Sequence, residues 1–146
     1  FMNIQNNHIG KMLMLAFAQV SETKKVRDYF LEGKKLAQKH MDVLSVILKK
    51  EDLPISMVWD TVVTKVTKAP FSEKLMLFHV TAMTAAGFGN YGMSASGSPR
   101  KDIALKYIQL SADVAEYAED GAKLMMKEGW LEEPPHAPHR SKLRNT

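Results

Sequence analysis

A chain of 146 residues is long enough to bury one domain's core without covalent staples, and the lack of cysteine excludes disulfides and thiolate metal sites. The formal charge of +4 does not describe a nucleic-acid surface: Arg140, Lys142 and Arg144 in the C-terminal tail supply three of those charges, leaving 17 basic against 16 acidic residues elsewhere. Mean hydropathy is -0.22, and no signal-like segment opens the sequence, so the expectation is a soluble chain with no membrane span, not secreted through a signal peptide.

Residues 2–20 predict the first helix, with Ile9, Met12, Leu13, Ala16, Phe17 and Val20 as its apolar stripe. Ser21 in the short link reads as a cap for the second helix, 22–50. In that helix Val26, Phe30, Gly33, Ala37, His40, Leu44 and Ile47 recur at alternating spacings of four and three, a seam for packing at a shallow crossing angle. Residues 51–71 carry Pro54 and Pro70 around a β-branched, helix-poor run. That run is too long for a tight helical link and long enough to cross from one end of a bundle to the other. Trp59, Val62 and Val63 are expected to lie against the third helix.

The third helix, 72–96, starts at Ser72-Glu73 and holds no charged residue from Leu75 to Ser98. Leu75, His79, Ala82, Ala86, Gly89 and Met93 share one face, and Leu77, Val80, Phe88 and Tyr91 the opposite one. A helix apolar on every face is expected to be buried on every face, with Gly89 at a close backbone approach. Ser98-Pro99 reads as the cap and first residue of the fourth helix, 99–128. Its seam is Ile103, Tyr107, Leu110, Val114, Tyr117, Gly121 and Leu124, with Gly129 as its C-terminal stop and Trp130 folding back on the bundle. The expectation is an all-α, ferritin-like four-helix bundle: two tight hairpins, a long crossover between the second and third helices, one domain over 1–135 and a flexible basic tail over 136–146.

The runs AFAQVSETKKVRDYFLEGKKLAQKH, LPISMVWDTVVTKVTKAPFSEKLMLFHVTAMTAAGFGNYG and SPRKDIALKYIQLSADVAEYAEDGAKLMMKEGWLEEPP carry a resemblance across roughly Met12 to Pro135. They resemble an uncharacterised family from spore-forming bacteria whose members are ferritin-like four-helix bundles, often in tandem pairs. Some members carry a spore coat label. The resemblance implies sporulation, association with other coat proteins, and a location in the cytoplasm or the spore coat of the producing cell. It implies no mechanism.

A ferritin-like di-iron centre needs one Glu from each of two helices and Glu-x-x-His from each of the other two. Here Ala37 stands three residues before His40 and Met76 three before His79, while the fourth helix has Glu116 and Glu119 but no His. No cofactor is therefore expected, and an adventitious divalent cation at the acidic side chains Asp113, Glu116 and Asp120 is compatible with the pattern. His136 and His139 lie in the tail, which supplies no geometry. His40 and His79 both fall on apolar faces, and a hydrogen bond between His79 and Tyr117 is expected.

Two functions follow. The first is a non-enzymatic structural or interaction protein, coat-associated and acting through self-association as a homodimer, with Leu105 and Ile108 adding apolar surface off the fourth helix's seam. The alternative is a bundle that binds a small ligand or metal, a degenerate oxidoreductase built on His40, His79, Tyr107 and Tyr117.

Overall fold

The computed structural model describes residues 1–56 and 62–131. Trp59 and the 136–146 tail, with His136 and His139, lie outside the described residues. Four helices follow in order: α1 (Met2–Val20), α2 (Lys24–Lys50), α3 (Glu73–Gly97) and α4 (Lys101–Lys127). The seams of α2 and α4 are buried as their spacing predicts: Val26, Phe30, Gly33, Ala37, His40 and Leu44 in α2, and Leu110, Val114, Tyr117 and Gly121 in α4. In α1 Met12 and Phe17 of the expected stripe are buried and Leu13 and Val20 pack on the core, but Ile9 is 64% exposed, and Ile4, Met14 and Ala18 are buried in addition.

The extensive helix contacts are α1 with α2 and α3 with α4; α1 also flanks α3, and α2 flanks α4. Each neighbouring pair is antiparallel. Asn3 meets Ser94 and Asn7 meets Tyr91 across α1 and α3, while Tyr29 meets Tyr117 and His40 meets Asp113 across α2 and α4. The diagonal helices α2 and α3 therefore run parallel, and only a long crossover can join them. This is the connectivity that ferritin-like bundles share.

The described residues of the crossover lie against α1 instead of α3. A chain joining two diagonal helices must pass over one of the other two, and here it passes over α1. Gln19 donates to the carbonyls of Thr64 (2.9 Å) and Val66 (2.5 Å), and Val62 and Val63 line a groove with Met12 and Leu13. The outer face of α3 is left open. Leu75 is 50% exposed, Phe78 59%, Phe88 47% and Met93 66%, with Ala82, Ala85, Ala86, Gly89 and Gly92 exposed between them. The expected burial on every face holds only for the side carrying Met76, Leu77, Val80 and Tyr91. A Cβ at Gly89 would meet nothing within 4 Å, so among the described residues no other segment makes a close approach there.

Helix ends explain the remaining differences. Thr23, not Ser21, is the N-cap of α2. Ser21 instead closes α1, its hydroxyl donating to the Phe17 carbonyl at 2.7 Å. Glu73, in the first turn of α3, accepts from the Thr23 amide (2.8 Å) and hydroxyl (2.5 Å), so one carboxylate serves the N-termini of two parallel helices, where negative charge is favoured. Ser72 caps α3 as expected, accepting from Leu75 N at 3.2 Å. The fourth helix starts later than expected: Arg100 is its N-cap, and Ser98 donates to the Arg100 carbonyl instead of capping an amide. Gly129 ends α4 at φ +69, with its own amide and that of Trp130 bonded to Met126 and Met125 carbonyls, and Trp130 packs on the core. The end of α2 has the same pattern of bonds, but with Asp52 in the left-handed position at φ 54.

Candidate functional site

The buried apolar side chains form two clusters. One, around Phe17, Phe30, Leu77 and Val80, lies at the end where α2 and α3 begin; the other, around Ile4, Leu44, Tyr91 and Leu110, lies towards the opposite end. A cavity of ≈ 290 Å³ separates them. Met14, Gly33, Ala37 and Tyr117 line its inner part, and Asn6, Ala86 and Asn90 its mouth between α1 and α3.

The cavity's polar wall is one hydrogen-bond network drawn from all four helices. His40 from α2 is 1% exposed, with Nδ1 2.9 Å from Tyr91 Oη and Nε2 3.2 Å from Asp113 Oδ2. A carboxylate can only accept, so it fixes the proton on Nε2, and Nδ1 accepts from the Tyr91 hydroxyl. Tyr91 Oη in turn accepts from Asn7 Nδ2 at 2.6 Å. The second Asn7 amide proton goes to the Asn3 carbonyl at 2.7 Å. Asn3 Nδ2 then reaches Ser94 Oγ (2.8 Å) and Tyr107 Oη (3.2 Å). Burial lowers the His40 pKa, opposed by its bond to Asp113, so the imidazole is held neutral. Burial likewise pushes the Tyr91 hydroxyl up to about 12. The Lys39 ammonium, 2.7 Å away, and then His40 hold the Asp113 carboxyl below its usual range.

On the far side of the cavity, Tyr29 and Tyr117 stack with ring centroids 4.3 Å apart and planes 3° from parallel. Each hydroxyl donates to the other residue's backbone carbonyl at 3.1 Å. Each hydroxyl also lies over the glycine one turn beyond its partner: Tyr117 over Gly33, and Tyr29 over Gly121. The sequences Tyr29-x-x-x-Gly33 and Tyr117-x-x-x-Gly121 are thus one device used twice, and α2 and α4 meet at a local two-fold axis. Burial pushes the Tyr29 hydroxyl up to about 12 and raises Tyr117 further.

The residues singled out by sequence separate into different places. His40 and Tyr117 line the cavity, and Tyr107 joins the network behind it. His79 is exposed on the outer side of α3, its ring edge-on to Phe17 at 6.2 Å. It lies twelve residues along α3 from the His40 partner Tyr91, about 18 Å at the rise of a helix. The expected His79–Tyr117 hydrogen bond does not form. Tyr117 donates to Tyr29 and touches Met14 Sδ at 3.5 Å, and the hairpin register brings Thr81 to Met125, leaving His79 nearly three turns beyond Tyr117. Asp113 faces α2, whereas Glu116 and Asp120 are exposed, Asp120 lying 4.0 Å from Lys123. Among the described residues, no three His, Asp or Glu side chains converge as a metal ligand set. Asn3 and Asn7 were not visible as network members. Their signal was two poor helix formers four residues apart, continued in phase by Gly10 and Met14.

Helix order, the crossover and the paired hairpins define a four-helix bundle with a half-open, largely apolar cavity that has one polar wall. The chain belongs to the DUF3231 family, a family of proteins of unknown function, which matches residues 1–143. Among solved structures, it is similar to a "putative spore coat protein" from Bacillus halodurans C-125. The TM-score is 0.86 at 17% identity, over 94% of this chain and 89% of that one, a likeness of fold. A search of curated proteins finds no match. Among the described residues, no helix is long and apolar enough to cross a membrane.

Proposed function

We propose that this chain is a structural or interaction protein that works by self-association through the outer face of α3. The observation that carries this reading is the apolar strip from Leu75 to Met93, in which Leu75, Phe78, Phe88 and Met93 are each about half exposed or more. The strip runs eighteen residues, about 27 Å along the helix. Leu105 (60% exposed) and Ile108 (58%) extend it at the level of Met93 on α4, a level set by the Tyr91–Tyr107 ring contact. Apolar patches beyond a few hundred Å² mark interaction sites, and water-facing phenylalanines cost free energy that a partner surface recovers. The alanines and glycines between the large side chains let a second helix approach closely. A two-fold dimer with the same strip on both subunits is the simplest closed arrangement. The Bacillus halodurans neighbour suggests the setting, a spore coat in which other coat proteins would be further partners.

Sedimentation equilibrium at micromolar concentration tests the reading. A species of twice 16.4 kDa is expected, converted to monomer by Phe78→Glu or Ala85→Glu with the helical circular dichroism retained. A wild-type protein that sediments as a single 16.4 kDa species would overturn it.

A further inference from the structure

The cavity between the two core clusters is a built space with defined chemistry. At ≈ 290 Å³ it is about twice the size of a cavity that takes up benzene, and at the lower edge of small-molecule sites. None of its lining residues carries a formal charge. A charged molecule entering its inner part would give up hydration there with no formally charged lining residue to pair with, which favours neutral ligands over anions and cations. His40 adds no charge, because burial keeps it neutral.

The walls select further. Met14 and Met83 present flexible thioethers, and Tyr91 and Tyr117 present ring surface, a combination that favours a flat aromatic body. At the polar wall Asn7 spends both amide protons on Asn3 O and Tyr91 Oη. That fixes the orientation of its amide and leaves Oδ1, an acceptor, as the atom of the group outside that network.

We propose that this cavity binds a neutral aromatic molecule of one or two rings that carries a single hydrogen-bond donor, received by Asn7. The chemical class is that of phenols and indoles. Entry is between α1 and α3, past Asn6 and Asn90. The proposal is independent of self-association, since a monomer contains the whole site.

Calorimetric titration of the full chain with indole and phenol tests it, with benzoate and benzylamine as charged counterparts and anisole as the ring without a donor. Saturable binding of one molecule per chain is expected for indole and phenol, with Kd below about 1 mM. The charged compounds and anisole should bind at least about tenfold more weakly. Two variants fill the space from opposite sides. A Cβ at Gly10 would lie 3.5 Å from Met83 Cε, so Gly10→Leu extends into the cavity from α1, and Thr84→Leu does so from α3. Leucine is the better helix former at both positions, and circular dichroism reports whether the fold is kept. Loss of binding in a folded variant supports the site. Absence of saturable binding by both indole and phenol to the wild type overturns it. So does equal binding of the charged compounds, or undiminished binding in both filled variants, which would place the ligand elsewhere.

Discussion

Gly33 and Gly121 lie under the hydroxyls of two tyrosines from the facing helix, whereas Gly87, Gly89 and Gly92 of α3 have nothing within 4 Å of where a side chain would begin. All five lie within helices, where glycine costs about 1 kcal/mol against alanine. In the first pair the return is visible: the missing Cβ admits a stacked tyrosine pair whose hydroxyls satisfy buried carbonyls. In α3 no such return lies among the described residues. The same residue thus marks two situations, a close contact inside the monomer at Gly33 and Gly121 and an open helix face at Gly87, Gly89 and Gly92.

The largest effect expected from this contrast is at Gly33. Gly33→Ala puts a methyl group into Tyr117 Oη and Met14 Sδ, and neither ring can move without breaking the stack. Overpacking of this kind costs about 1–3 kcal/mol, which outweighs the gain in helix propensity. Thermal unfolding should fall by roughly 3–10 °C, and Gly121→Ala should act in the same direction. An unchanged melting temperature in both would mean that the tyrosine clasp is not formed. Gly89→Leu is the opposing case. It should leave the monomer's unfolding midpoint unchanged or higher in dilute solution, while weakening self-association by roughly tenfold or more. Equal loss of stability at Gly33 and Gly89 would erase the distinction between the two sets.

A smaller effect separates the inner face of α3 from the outer one through pH. The folded His40 has a lowered pKa, so below about 6.5 the unfolded chain takes up a proton that the folded chain refuses. Stability is therefore whole above that pH and declines as pH falls towards the folded value. The Asp113 carboxyl, held low by Lys39 and His40, adds its own loss only further down, below the usual carboxylate range. Denaturant midpoints measured from pH 7.5 to 4.5 should decline in wild type and flatten in His40→Gln. A decline of equal slope in that variant would assign it to other groups.

The smallest expected effect compares the two helix ends that share one capping pattern. Gly129 occupies the left-handed position after α4 without strain, whereas Asp52 holds it after α2 at φ 54. Asp52→Gly should stabilise the protein by about 0.5–1 kcal/mol through relief of that strain. Chemical denaturation reads the change directly, and a loss of stability would show that the Asp52 side chain has a favourable role.

The four helices, their spans to within a few residues, the seams of α2 and α4 and the need for a crossover were all legible in sequence, because each depends on local spacing. Alternating four-three spacing marks one buried stripe, and a proline-bracketed β-branched run cannot continue a helix. The two faces of α3 were legible as faces, but not which of them this chain covers. That depends on how the crossover and the other helices pack, and a crossover over α1 or over α4 would join the same two helix ends. The partners of His40 were hidden for a related reason. Tyr91 and Asp113 lie 51 and 73 residues from His40, and Asn7, which bonds Tyr91, lies 33 away; the antiparallel registers of α1 with α3 and α2 with α4 bring them level. His40 and His79 looked alike because hydrophobic periodicity reports that a residue shares a face with apolar neighbours. Whether that face meets another helix or water is decided by the packing of all four.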